Sequence, residues 1–383
     1  MRAFALARRQ LGRERRRLAV AVAGVAFAVV LILMQLGFRK ALFASAVRFH
    51  SHLRGEVFLV SPRSMFLASM QSFSGRRLYQ ALGVSGVREI VPVYTNVALW
   101  KNPTDGTTHR LFIAASDPRL DALDLEAVWA QAESLRAPDV VLFDASSRPE
   151  FGPVVQLLGK NGKVDTEVEG RAISVIGLFR LGTSFGIDGS LITSDTNFLR
   201  IFPQRSPGLV QFGLVRLEAG ETPEVVRDRI AAKLPSDVEV LTKDDLMERE
   251  VNYWATAQPI GFVFTFGAIM GFVVGLVIVY QILFSDVADH LAEYATLQAI
   301  GYLDSYLYRV VLYEALLLAV AGYVPGLLVS AQLYRLTHHA TQLPMQLSPA
   351  LIAGTLAVTM LMCTASGAIA LRKIRSADPA EIF

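Results

Sequence analysis

Four long stretches of this chain carry no Asp, Glu, Lys or Arg, and that limits its fold more than any other feature. They are Leu18 to Phe38, Val251 to Ser285, Ala315 to Tyr334 and Leu336 to Leu371. About 20 apolar residues at ~1.5 Å rise each cross a ~30 Å hydrocarbon layer, so each stretch suffices for a membrane span. The second and fourth are longer than needed and reduce to 260–283 and 349–371, while the first and third spans are placed at 18–38 and 311–334. A soluble fold would have to bury four helices that are apolar all round. Hydrophobic residues make up 52% of the chain and mean hydropathy is +0.40, high for a soluble enzyme and low for a chain wholly in lipid. The composition therefore implies spans plus a sizeable aqueous domain.

Ala44-Ser45-Ala46 resembles a signal-peptide cleavage site. The apolar run before it exceeds the roughly 7 to 15 residues of a signal core, so it reads as a retained span. Orientation follows from Lys and Arg near the span ends. Arg8, Arg9, Arg13, Arg15, Arg16 and Arg17 place the N-terminal segment 1–17, read as a basic amphipathic helix, in the cytoplasm. Arg372, Lys373 and Arg375 place the tail 372–383 there too, as four spans permit. The connector between spans two and three, 284–308, must then also be cytoplasmic, yet Asp286, Asp289, Glu293 and Asp304 dominate it up to Tyr308. Charge asymmetry alone does not account for that connector, and a cytoplasmic partner covering it would.

Residues 39–258 lie outside the membrane and are numerous enough for a real core. The single cysteine, Cys363, falls in an apolar run, so this domain holds no disulfide. Short β-rich runs at 56–60, 110–114, 140–143, 172–178 and 209–217 alternate with helical stretches at 125–135 and 223–234. The expected fold class is a membrane protein with four transmembrane α-helices and a large extracytoplasmic mixed α/β (α+β) domain between helices 1 and 2. Thr222-Pro223 reads as a helix start, and Thr242 with Asp245 has capping-box spacing. A helix from Lys243 that continued to Leu283, with Pro259 its only obvious interruption, would be a rod of ~60 Å linking the domain to the second span. The loop between spans three and four, 335–348, is short.

Gly267, Gly271 and Gly275 recur every fourth residue in the second span, and Gly322 and Gly326 repeat the spacing in the third beside Pro325. Such faces let another helix approach closely, within one bundle or across a homodimer. Gln35, Gln281 and Glu314 are the few polar side chains inside the spans, and Glu314 reads as an interfacial anchor near Arg309. That is little polarity for a conduction path.

Catalytic and metal chemistry find little footing. Gly182-Thr183-Ser184-Phe185-Gly186 matches the nucleophile-elbow pattern, but turn-forming residues follow where a helix is required, and no histidine lies between His109 and His290. His50 with His52, and His338 with His339, lack carboxylate or cysteine company at ligand spacing. Gly159-Lys160-Asn161-Gly162-Lys163 has the wrong spacing for a phosphate-binding loop. The chain is expected to be no enzyme, to bind no nucleic acid, metal or cofactor, and to leave ATP hydrolysis to another subunit.

The connector carries the most information. Leu291, Tyr294, Leu297, Gln298 and Gly301 share one helical face on a segment too polar to span. That face suits a membrane surface or the groove of a soluble partner, and the acidic charge favours the partner.

The segment 286–302, Asp-Val-Ala-Asp-His-Leu-Ala-Glu-Tyr-Ala-Thr-Leu-Gln-Ala-Ile-Gly-Tyr, closely resembles the coupling segment of DevC-type permeases, in the FtsX/MacB-like group of ABC transporter membrane subunits. The tail Asp378-Pro379-Ala380-Glu381 and the outer segments 144–152 and 181–185 are also similar to that group. Gln298 departs from it, standing where the group usually places Lys or Arg. The resemblance implies a homodimeric permease in a bacterial inner membrane, both termini cytoplasmic, working with a separate ABC ATPase that holds ATP and Mg. Glu293, Tyr294, Ala295, Thr296, Leu297, Gln298, Ala299, Ile300, Gly301 and Tyr302 would dock on that ATPase. It further implies a periplasmic domain that engages a membrane-fusion adaptor and, through it, a TolC-like outer-membrane duct, with spans that transmit motion. An envelope glycolipid or other amphiphile is the cargo so implied. Alternative members of the group are FtsX-like subunits that activate a periplasmic hydrolase and lipoprotein-releasing permeases.

Overall fold

The computed structural model describes residues 4, 7, 15–290, 296, 300, 302 and 304–375. The chain forms two compact units. One comprises residues 1–40, 260–338 and 345–383, and the other 41–259 with 339–344.

The first unit is built on four long helices, Arg15–Ala46, Ile260–Asp289, Asp304–Thr341 and Pro349–Arg375, each long and apolar enough to span. All four run further than the apolar stretches alone suggest, the second to Asp289 and the fourth to Arg375. The first passes through Arg39 and Lys40, and the third carries Pro325 inside it and passes through Arg335, so the non-helical link before the fourth shrinks to 342–348. Charged residues at a span end keep their head groups in water while the backbone stays hydrogen-bonded. Ala21, Val25, Ala28, Val29 and Leu33 of the first helix meet Val279, Leu283, Ala315, Ala319, Met362 and Cys363 of the other three in one apolar core. Arg17 pairs with Asp289, so an N-terminal arginine answers part of the acidic connector's charge.

The second unit is an α+β domain on a nine-stranded sheet in the order β11-β1-β10-β3-β4-β8-β5-β7-β6. The strands are β1 (Val57–Val60), β3 (Val87–Lys101), β4 (Thr108–Ser116), β5 (Val140–Asp144), β6 (Val164–Val168), β7 (Arg171–Phe179), β8 (Ser190–Ser194), β10 (Phe212–Leu217) and β11 (Glu239–Thr242), with β2 (Phe73–Ser74) and β9 (Leu209–Val210) pairing apart. The long β3 belongs to two arrangements. Its first half pairs with β10, its second with β4, and Trp100 and Lys101 at its end pair with β6. That last pairing closes β3-β4-β8-β5-β7-β6 into a ring. Trp100, Phe143, Phe151, Val168 and Leu191 fill one core cluster, and the Trp100 indole N–H donates to the Phe151 carbonyl at 3.0 Å.

The predicted helix at 125–135 is instead a short turn at Glu126–Trp129 followed by a 3-10 turn at Ser134–Arg136. The Gln131 amide bonds back to the Ala127 carbonyl at 2.7 Å and reaches the Leu178 carbonyl of β7 at 3.5 Å, while Leu135 is drawn into the core. Helix Pro223–Ala231 starts at Thr222 with proline at its first position, although the Thr222 side chain makes no cap. The Thr242–Asp245 capping box forms in both directions and starts helix Lys243–Asn252.

The continuous rod from Lys243 to Leu283 does not exist. The helix widens into a π turn at Tyr253–Ala257, Gln258 is extended at φ −110° and ψ 132°, and the second span starts afresh at Ile260. Pro259 is the cause, because its ring forces the preceding residue out of the helical region and it has no N–H to give.

Candidate functional site

The predicted packing glycines all turn inward within this chain. A β-carbon on Gly267 would meet the Gln35 amide, one on Gly271 would meet Leu31 and Ile32, and one on Gly275 would meet Ala28 and Met362. The contacts on the first helix fall in number as the glycines rise, so the first and second spans are antiparallel. Gly322 faces Val25 and Gly326 faces Val29 and the Ala26 carbonyl, so the third runs parallel to the first. The Tyr334 hydroxyl extends that seam by donating to the Leu33 carbonyl at 2.6 Å. Both glycine faces thus serve the bundle, with the first span held between them. The fourth span joins through Ser366, whose hydroxyl donates to the Leu276 carbonyl at 2.8 Å.

Of the predicted coupling residues, Glu293, Tyr294, Ala295, Leu297, Gln298, Ala299 and Gly301 lie outside the described residues, as does the tail 376–383. Three are described. The Ile300 N–H bonds to the Thr296 carbonyl at 3.1 Å, one helical turn, and Ile300 is 71% exposed. The Tyr302 ring lies 4.7 Å from that of Tyr306. An apolar side chain so bare next to a span suits a docking surface. At the other predicted cytoplasmic element, Phe4 meets Tyr313 edge-on and Ala7 is buried against Val310.

In the second unit the two outer segments singled out by resemblance meet. Asp144, fully buried at the end of β5, accepts from the backbone N–H of Ser146 at 2.9 Å, Leu181 at 3.2 Å and Gly182 at 2.8 Å. Burial raises its carboxyl above the usual range, against the pull of those donors and of the Arg48 guanidinium. Arg48 itself donates to the Leu181 carbonyl, and Arg148 pairs with Asp188 at 2.9 Å. Gly182 holds φ +96° with the Arg48 guanidinium where a side chain would begin, so it has to be glycine. The Thr183 hydroxyl donates to the Thr341 carbonyl at 3.2 Å within the same unit. Ser184 sits in this loop with strand β8, not a helix, after it, and its hydroxyl accepts from the Gly186 N–H at 3.2 Å. Nucleophile-elbow geometry is absent here.

A second constellation escaped sequence reasoning. His50, in the short helix Arg48–His52, and Glu250, in Lys243–Asn252, are both buried with Nε2 and Oε2 3.8 Å apart. Glu250 also accepts from the Leu67 N–H and the Trp254 indole N–H, each at 3.0 Å, while Phe66 stacks on Tyr253 and meets Trp254 edge-on. Burial lifts the Glu250 carboxyl to about 7, with its donors and Arg249 pulling the other way, and burial holds His50 down at about 4. One carboxylate thus ties together the chain just after the first long helix and the chain just before the second. Nothing in the spacing of residues two hundred apart announces that contact.

Four candidate spans and one large domain inserted after the first define the architecture of a polytopic membrane protein. A model of the MacB-like periplasmic core domain matches residues 18–233, and one of the FtsX-like permease C-terminal region matches 264–379. The first alone covers more than half of the chain, which belongs to the FtsX/MacB-like family of ABC transporter permeases. No curated protein matches it. Among solved structures, the extracellular domain of the noncanonic ABC-type transporter YknZ from Gram-positive bacteria is 15% identical. It aligns over 49% of this chain and 99% of its own, with a TM-score of 0.34. The periplasmic region of MacB from Actinobacillus actinomycetemcomitans is 11% identical over 51% and 92%, at 0.35. A domain of a permease protein from Porphyromonas gingivalis is 15% identical over 50% and 89%, at 0.31.

Proposed function

We propose that this chain is the membrane subunit of a DevC-type tripartite exporter, acting as a homodimer in the bacterial inner membrane with both termini in the cytoplasm. A separate ABC ATPase, carrying ATP and Mg, docks on residues 293–302. Its cycle moves the inserted domain, which engages a membrane-fusion adaptor and through it an outer-membrane duct for an amphiphile such as an envelope glycolipid. Family membership supports the ATPase partner and the dimer.

The observation that carries the mechanical reading is the dryness of the bundle. Among the described residues of the spans, the hydroxyls of Ser330, Thr355 and Thr359 are spent on carbonyls one turn back in their own helices. Spans built this way transmit movement and offer cargo no polar path. Leu297→Asp or Glu293→Lys, in complexes that still assemble, is expected to lower adaptor-stimulated ATP hydrolysis at least about tenfold, the effect of ~1.4 kcal/mol of lost docking. Undiminished stimulation in both variants would remove the coupling assignment. Full stimulation by a periplasmic hydrolase in place of the adaptor would favour the signalling members of the family.

A further inference from the structure

One side chain contradicts that dryness. Glu314 was expected to anchor at the interface beside Arg309, with its head group in water. Instead it is 0% exposed, ~9 Å inside the span that starts at Tyr308, and neither carboxyl oxygen has a hydrogen-bond partner among the described residues. Arg309 is exposed and does not reach it. The charged group that acts on Glu314 is another acid, Asp286 of the second span. One turn further along, His290 stands 3.8 Å from the Asp286 carboxylate. Arg17 on the first helix is engaged with Asp289, and Arg372 on the fourth is exposed.

A carboxylate with no donor and no cation among the described residues, and a second acid nearby, is among the most costly things a helix bundle can enclose. A metal ion or sodium would need several oxygen ligands converging on it, and among the described residues no group of three or more His, Cys, Asp or Glu forms such a set. A proton needs only the carboxyl itself. Asp286 and His290 are partly exposed, at 17% and 13%, where Glu314 is at 0%, so a titratable pair with access to water adjoins the buried carboxyl.

We propose that Glu314 is an intramembrane proton-binding site of the span bundle, loaded through His290 and Asp286. This goes beyond the transmission role, for which an apolar residue would serve equally well at this position.

The test uses the full-length wild-type chain in lipid nanodiscs, treated with the apolar reagent dicyclohexylcarbodiimide, which attacks a protonated carboxyl in an apolar setting. Peptide mass spectrometry then locates the adduct. The expected result is an adduct on Glu314 in mildly acidic buffer that is lost in alkaline buffer, is absent from Glu314→Gln, and does not form with a water-soluble carbodiimide. An unmodified Glu314 at every pH in chain that remains monodisperse would overturn the proposal. Equal labelling by the water-soluble reagent would overturn it too, because the carboxyl would then be open to water.

Discussion

Replacing His50 with Gln takes one of two titratable partners out of the buried pocket against Glu250, and the two partners pull stability in opposite directions. Folded Glu250 keeps its proton up to about 7 against an ordinary 4.5. Within that window the folded state holds a proton the unfolded chain has lost, so stability falls as pH rises. His50 stays neutral down to about 4 against an ordinary 6.5, so its contribution is lost as pH drops through that window. Between 4.5 and 6.5 the intact pair holds one proton in both states, and the slopes cancel. His50→Gln exposes the Glu250 slope. Relative to wild type the missing part is the His50 contribution, so across some 2.5 pH units at ~1.36 kcal/mol each its destabilisation should grow by about 3 kcal/mol as pH climbs from 4 to 6.5. Glu250→Gln should do the reverse, its destabilisation shrinking by a similar amount as pH climbs from 4.5 to 7. Urea unfolding of the inserted domain in full-length protein in nanodiscs reports this through tryptophan fluorescence, Trp254 being in direct contact with Glu250. Parallel pH profiles for the two variants would refute the pairing.

Two further outcomes test the bundle and its link to the domain. Gly326→Val would drive a side chain into the Ala26 carbonyl, 2.9 Å from where its β-carbon must sit, and should cost the bundle about 1–3 kcal/mol, read as a lower melting temperature in nanodiscs. Met247→Pro breaks helix Lys243–Asn252 at a cost of ~3 kcal/mol or more; ATP hydrolysis should continue in the assembled complex while export fails, and export at wild-type rate would show that this helix carries no coupling.

The spans were legible because lipid admits almost one solution for a long apolar run, and the Thr242–Asp245 cap because its bonds are local. Strand β3 was not. Pro92 argues against a strand interior, yet it sits opposite Gly213 in the half of β3 paired only with β10, where the missing N–H is not needed. The glycine faces were legible as packing surfaces, but not that both would close on the first span. The buried Glu250 and Glu314 were invisible for a common reason. Burial is a property of what the rest of the chain brings over a residue, and charge on the page reads as exposure.

The clasping of the first span between two glycine faces also fixes an order of assembly. Arg15–Ala46 is made before the whole inserted domain, whereas Gly267 to Gly275 and Gly322 to Gly326 are made after it. At roughly 5–20 residues per second, synthesis leaves the first helix without those neighbours for about ten seconds or more. During that wait Val25, Ala28 and Val29 face lipid tails, which are as apolar as the helices that will replace them, so what is forgone is close contact rather than burial from water. The last three helices therefore close around a post already standing in the membrane, and the inserted domain is made before the bundle is complete.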